Sequence, residues 1–361
     1  MNGQYPYGDP YGGTPQGASA PQYGGGLSRF FRAPEYRAQR TLFFTGNLLG
    51  VGFLGYLLLS TLFSIVLRRV PAVSDLYDNE PLYTYLLDIL YSLTCVGMPF
   101  LAVFVLLKRT RFYHDLTVSF GRTYENSRAL LLVVAGLGVC FAGSLATNYF
   151  AVYAKSVGFD FYSFEQALEP EALPEGALGV AVLLLRSAVV PAVVEECVFR
   201  GVILQSLRRF GDWFAIVCTA VMFGLTHANM TQVPFAVIAG VALGYCAVVT
   251  GSLRTGIAVH FLNNLVSVIT VLVQNTGGDG VALIVSNAVI YGGIVLGGVA
   301  VAVYASKNRF FLRLRPGVCG RIRAKGRLLF LAPALLVAVL WLLWYTLNDI
   351  MAFNEWAAGL L

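Results

Sequence analysis

Charge is scarce along most of this chain. Only 12% of its 361 residues are Asp, Glu, Lys or Arg, about half of what a soluble globular domain carries. Histidine is rarer still, with three in the whole sequence. There is no HExxH, so the usual helix of a zinc protease is excluded. No two of the six cysteines stand at metal-type spacing. Cys95, Cys140, Cys197, Cys218 and Cys246 fall in apolar runs and Cys319 in a basic connection, so they read as small hydrophobes rather than disulfide partners. No apolar segment with a small-residue cleavage site follows a basic start, so no signal peptide is expected. Position 2 is Asn and the last residues are Gly-Leu-Leu, which carry no lipidation signal. Residues 1–28 are rich in Gly, Pro, Tyr and Gln without apolar periodicity. Such a segment buries too little surface to offset chain entropy, and a disordered tail is expected.

What the chain has in excess is apolar surface, 57% of its residues. It comes in separate runs of roughly 20 residues, each long enough to cross about 30 Å of hydrocarbon as a helix. Nine can be drawn: Leu42–Leu67, Thr84–Leu107, Ala129–Val152, Ala177–Val198, Trp213–Ala228, Thr231–Thr250, Thr255–Val273, Val281–Ala305 and Leu328–Met351. The fourth has polar interruptions, which leaves eight as the other count. Only helices or closed barrels satisfy their backbone in lipid. The expected fold is therefore all-α, a polytopic integral membrane protein with eight to nine transmembrane helices.

The formal charge of +6 is not a nucleic-acid signature, because the basic residues sit in short connections on one side. Arg29, Arg32, Arg37 and Arg40 precede the first run. Lys108, Arg109, Arg111, Arg122 and Arg128 follow the second, Arg208 and Arg209 the fourth, and Arg254 the sixth; the Lys307–Arg327 connection is the most basic of all. The opposite connections carry Asp75, Asp78, Glu80, Asp160, Glu165, Glu169, Glu171 and Glu175, with Arg68, Arg69 and Lys155 as exceptions. The positive-inside rule then predicts a multi-pass cell-membrane protein with a cytoplasmic N-terminus and, for nine spans, an outward C-terminus.

Ionisable groups inside spans cost about 2.5–3.5 kcal/mol each on insertion scales, so they are read as functional first. Here they gather in three segments. In Pro191-Ala-Val-Val-Glu195-Glu196-Cys-Val-Phe-Arg200, Glu196 and Arg200 lie one turn apart on one helix face and can neutralise each other. Glu195 points about 100° away with no partner in its own helix. Desolvation makes an unpaired carboxylate a better proton acceptor, which suits a general base. The second segment is Phe223-Gly-Leu-Thr-His227. The third is His260-Phe-Leu-Asn263-Asn264, where His260 and Asn264 share a face. A lone intramembrane histidine is more often a packing residue than a catalyst. Two of them with two glutamates and an i+4 asparagine are not so easily dismissed.

Read as EExxxR, FxxxH and HxxxN in that order, the chain resembles the CAAX protease and bacteriocin-processing family of membrane endopeptidases over roughly residues 180–270. Each motif alone is weak; the ordered set in an all-membrane setting is specific. The resemblance implies that Glu195 activates a water with His227, that His260 and Asn264 hold the developing oxyanion, and that the Glu196–Arg200 pair positions the site. It implies a membrane-associated protein or peptide as substrate, of prenylated CAAX type or a peptide precursor. The organisation expected is a tail to residue 28, membrane helices over 29–176, a catalytic core over 177–275 and further helices over 276–361.

Peptide hydrolysis needs an activated water, donors for the tetrahedral oxyanion and a proton for the leaving amine. The same residues offer an alternative: zinc on His227, His260 and Glu195. A metal-free mechanism with no cofactor is favoured, since Asn264 is a poor zinc ligand and a good oxyanion donor. Two other classes compete. A secondary transporter would show matched broken-helix repeats in both halves, and none is seen. A non-catalytic partner-binding protein has no need of two glutamates and two histidines in the bilayer. Depth offers a check: Glu195 to Arg209 and Trp213 to His227 are both 14 residues, about 21 Å of helix, if the fourth helix runs on to about Arg209. Pro191 could break that helix, and His260, only about 9 Å from Arg254 by the same arithmetic, is expected to sit too shallow.

Overall fold

The computed structural model describes residues 34–121, 126–160, 173, 176–307 and 322–359. The tail 1–28, the acidic residues Glu165, Glu169, Glu171 and Glu175, and Cys319 lie outside them. Every regular element among the described residues is helical. In chain order these are α1 (Pro34–Arg69), α2 (Pro71–Asn79), α3 (Pro81–Lys108), α4 (Asn126–Ser156), α5 (Gly176–Phe210), α6 (Asp212–Leu225), α7 (Gln232–Thr250), α8 (Leu253–Lys307), α9 (Ile322–Phe330) and α10 (Pro333–Ala357). Pro71, Pro81 and Pro333 open their helices, where the missing N–H is harmless and φ is preset.

Seven of these helices are long and apolar enough to cross a bilayer. One of the seven, α8, is two crossings. Its 55 residues would run roughly 80 Å as a straight rod, far beyond about 30 Å of hydrocarbon. Gly278, at φ 80° and ψ 171°, breaks it into two arms. Val259 of the first arm and Gly297 of the second both abut α4, at Gly136 and Gly138, which requires the arms to fold back on each other. A Cβ on Gly138 would stand 2.6 Å from Cα of Gly297, so the absence of side chains is what lets these two backbones meet. The seventh and eighth apolar runs are these arms.

Two expectations need correction. The fifth run, Trp213–Ala228, forms a shorter helix than the run suggests: α6 has 14 residues, about 21 Å, and stops at Leu225. The stop is local chemistry. Asn229 Oδ1 accepts hydrogen bonds from the Thr231 and Gln232 amides at 2.9 and 3.2 Å, and Ala228 turns left-handed at φ 49°. Nor does Pro191 break α5, which continues to Phe210. A π-helical turn at Leu185–Val189 lies just ahead of the proline. The wider turn takes up the hydrogen-bonding mismatch that proline causes. Pro99 of α3 follows a similar turn at Ser92–Gly97.

The basic connections gather at one end of the bundle and are tied to one another. Arg209 Nη1 donates to the Phe112 carbonyl at 2.6 Å, and Lys325 Nζ to that of Phe210 at 2.7 Å. The segment after α3 also folds beneath the α7–α8 connection, where Leu253 N donates to Ser119 O at 2.9 Å and Ser252 Oγ to Gly121 O at 2.8 Å. Apolar packing among α1, α3, α5, α6, α7, α9 and α10 forms the main core above these ties.

Candidate active site

The side chains singled out above converge on one cavity of about 370 Å³ and its floor. Glu195 reaches it from α5, Phe223 from α6, His227 from the turn after α6, and His260, Asn263 and Asn264 from the first arm of α8; Ala236, Ala239 and Leu243 of α7 form an apolar wall. Glu195 and His227 line the same cavity, as the equal helix lengths require.

The floor is a buried ion pair. Glu196 and Arg200 are both fully buried, and Arg200 Nη1 donates to Glu196 Oε1 at 2.7 Å. The guanidinium also donates through Nη2 to the Gly240 carbonyl of α7 at 3.3 Å and lies 4.5 Å over the Phe223 ring. Phe223 therefore has a role that its place in a motif does not disclose. Its ring is an edge-on partner of both His227 and His260, at centroid distances of 4.9 and 6.0 Å, while its other contacts include Phe199 at 4.9 Å. Gly256 completes the floor. A Cβ there would fall 2.6 Å from Glu196 Oε2, so the carboxylate can press against α8 only because that position is glycine. The residues from Glu196 to Ile203 form the second π-helical stretch of α5, a feature that concentrates at functional sites.

Above the floor the site is more open. Glu195 is a quarter exposed, and its Oε2 accepts no hydrogen bond among the described residues. Each histidine has one ring nitrogen committed. His227 Nδ1 donates to the Phe223 carbonyl at 3.0 Å, which leaves Nε2 as the acceptor. His260 Nδ1 donates to Glu196 Oε1 at 3.1 Å, and its Nε2 faces Glu195 Oε2 at 3.8 Å. His260 can thus donate to a further group only through a protonated Nε2. Asn263 Nδ2 donates to Asn264 Oδ1 at 3.4 Å, leaving the Asn264 amide as a donor on the cavity wall.

Two details differ from the sequence reading. His227 lies beyond its helix, in the turn, though its Nδ1 still donates to the Phe223 carbonyl in the last turn of α6. His260 is not too shallow. The α7–α8 connection from which it rises is itself set inward, because residues 119–121 lie beneath Ser252 and Leu253. Arg254 itself is exposed, but Ser252 and Leu253 beside it are buried, so the start of α8 is set in from the end of the bundle.

A search for intramembrane charge in three segments passes over a fourth feature. Asp88 of α3 and Arg186 of α5 form an ion pair at 2.8 Å, and Arg186 lies 4.8 Å over the Tyr85 ring. Each was visible as a lone charge in an apolar run. Arg186 adjoins Ser187, which lines the cavity together with Gln232 and Ser267. These uncharged polar residues carry no motif, and nothing local marks them out.

The zinc alternative nominates Glu195, His227 and His260. Among the described residues no three His, Cys, Asp or Glu side chains converge closely enough to hold a metal ion. The donor set does not fit a three-ligand zinc site as it stands.

Residues 177–266 match the family described as type II CAAX prenyl endopeptidase Rce1-like. Over those residues, about a quarter of its length, the chain is similar to the CAAX-protease family. The match covers α5, α6, α7 and the first half of the first α8 arm, which are the elements that build the cavity. The CAAX-protease family is one of helical membrane proteases, in keeping with the multi-pass helical architecture seen here. No curated protein and no solved structure matches the chain.

Proposed function

We propose that this protein is an intramembrane endopeptidase in which Glu195 is the general base. One observation carries the reading: of two adjacent glutamates, Glu196 is fully buried and bound through Oε1 by Arg200 and His260 beneath the cavity, whereas Glu195 lines the cavity, a quarter exposed, with its Oε2 3.8 Å from His260 Nε2. A water held between Glu195 and Nε2 of His227 gives its proton to Glu195 as its oxygen adds to the scissile carbonyl carbon. Negative charge develops on the carbonyl oxygen, and the Asn264 amide and Nε2–H of His260 are the donors that receive it. The C–N bond then breaks, and the proton taken by Glu195 passes to the leaving amine. Glu196 and Arg200 touch no substrate in this scheme. They hold His260 by its Nδ1 proton.

The substrate class that the family suggests is a membrane-associated protein or peptide, with prenylated CAAX-type tails and peptide precursors as the two kinds to compare. The cytoplasmic N-terminus follows from the charge asymmetry of the connections. The experiment is proteolysis by the purified protein against prenylated and unprenylated peptides, with Glu195→Ala as control. Turnover is expected to survive prolonged dialysis against a strong chelator, and the purified protein to hold well under one zinc per chain. Loss of turnover on chelation and its restoration by zinc but not magnesium would reassign His227 and His260 as ligands while leaving the protease reading intact.

A further inference from the structure

The two ends of the catalytic bundle can be told apart by what is tied to them. At one end lie the basic connections, linked through Arg209 to Phe112, Lys325 to Phe210 and Leu253 to Ser119. At the other end Met230, three residues past His227, packs with Ala154, Phe353 and Trp356, and Phe159 stacks on Phe353 at 6.4 Å. The His227 turn therefore shares its end with the Lys155–Asp160 pair and the last turns of α10, opposite the basic end.

The cavity is asymmetric along the same axis. Towards the basic end it is sealed: Arg200, Gly201, Val202, Ile203 and Leu204 are buried in succession, and Phe210 and Phe214 are buried beneath them. Towards the other end the lining residues become exposed, with Gln232 at the start of α7 and Ser267 on α8 both open and Ser187 half-buried. The mouth is thus at the end away from the lysines and arginines. Apart from Arg68, Arg69, Lys155 and the intramembrane Arg186 and Arg200, every one of the chain's 25 Lys and Arg falls in the connections of the basic end or in the N-terminal segment before α1's apolar run. The positive-inside rule assigns the end with that bias to the cytoplasm.

We propose that the site admits its substrate from the extracytoplasmic face. The substrate is then a peptide segment displayed on that face, such as the outer juxtamembrane stretch of a membrane-anchored protein or precursor. A C-terminal tail in the cytoplasm meets the sealed floor instead. The mouth suits such a segment, because Ser187, Gln232, Asn263 and Ser267 offer amides and hydroxyls to an extended peptide backbone without a charge to neutralise. This rests on the protease reading and narrows its substrate class.

The test is thiol labelling of the full-length protein in the membrane of intact cells with a membrane-impermeant maleimide, which needs no turnover. Gln232→Cys and Ser267→Cys are placed at the mouth, Arg254→Cys is the exposed reference at the basic end, and the parent chain sets the background of its own cysteines. Gln232→Cys and Ser267→Cys are expected to label in intact cells at least about fivefold over background, and Arg254→Cys only after permeabilisation. The reverse pattern overturns the proposal. So does failure of both mouth variants to label on either side, because the cavity would then have no aqueous mouth at that end. Either failure leaves the protease reading standing, whereas loss of peptide hydrolysis by the purified protein would remove that reading without moving the labelling pattern.

Discussion

Below Glu196 and above it, the same helices are finished in two different ways. Below, the charges are held in pairs, Glu196 through Oε1 with Arg200 and His260, Arg209 with the Phe112 carbonyl and Lys325 with that of Phe210, although Glu196 Oε2 and Arg200 Nε make no hydrogen bond among the described residues. Above, Glu195 Oε2 accepts no hydrogen bond among the described residues, His227 Nε2 is left as an acceptor, and amides and hydroxyls line a cavity. A buried charge without partners costs several kcal/mol, so the lower half keeps its charges in pairs, while the upper half leaves groups with proton-transfer capacity facing a cavity. The two glutamates straddle that boundary, and adjacent positions on one helix serve opposite purposes.

The comparison breaks most readily at Arg200. Arg200→Ala leaves Glu196 buried with His260 alone, and removing one member of a buried pair costs about 3–5 kcal/mol. Melting temperature and expression should fall together with activity. A stable but inactive variant would mean that Arg200 contacts substrate and belongs to the upper half.

A change of somewhat smaller size is expected at Asn264, and of a different kind. Losing one oxyanion donor costs about 10²–10³-fold in turnover, or roughly 2.7–4 kcal/mol of the barrier. Asn264→Ala should show this loss in kcat with the melting temperature little changed. Parallel loss of stability would move Asn264 into the structural half.

Gly256 sharpens the boundary from below. In Gly256→Ala the new methyl meets Glu196 Oε2. Overpacking costs about 1–3 kcal/mol, while alanine in a helix returns about 1 kcal/mol. The net destabilisation should be about 1 kcal/mol, read by thermal melting. Activity should fall more than stability does, because the displaced carboxylate carries His260 with it.

Much of this was legible in the sequence because it is governed by local periodicity. The apolar runs mark the helices, and the i, i+4 spacing places Glu196 on Arg200 and turns Glu195 away, as the structure has it. What escaped depends on contacts across helices or on turn chemistry. The His260–Glu196 bond joins positions 64 residues apart. His227 leaves its helix because Asn229 two residues on closes a turn, which apolar content cannot reveal. The pairing of Asp88 with Arg186 joins α3 to α5, so neither residue looked partnered from its own run. The insetting of the α7–α8 connection by residues 119–121 escaped for the same reason.

The division between the two glutamates is tested most directly by measuring peptide hydrolysis and thermal melting on one preparation of Glu195→Gln. Glutamine keeps the shape of the side chain but cannot take the proton. The account predicts melting like the parent protein and hydrolysis lower by about 10²–10⁴-fold, the usual worth of a positioned base. Parent-like hydrolysis by a folded Glu195→Gln protein would contradict it.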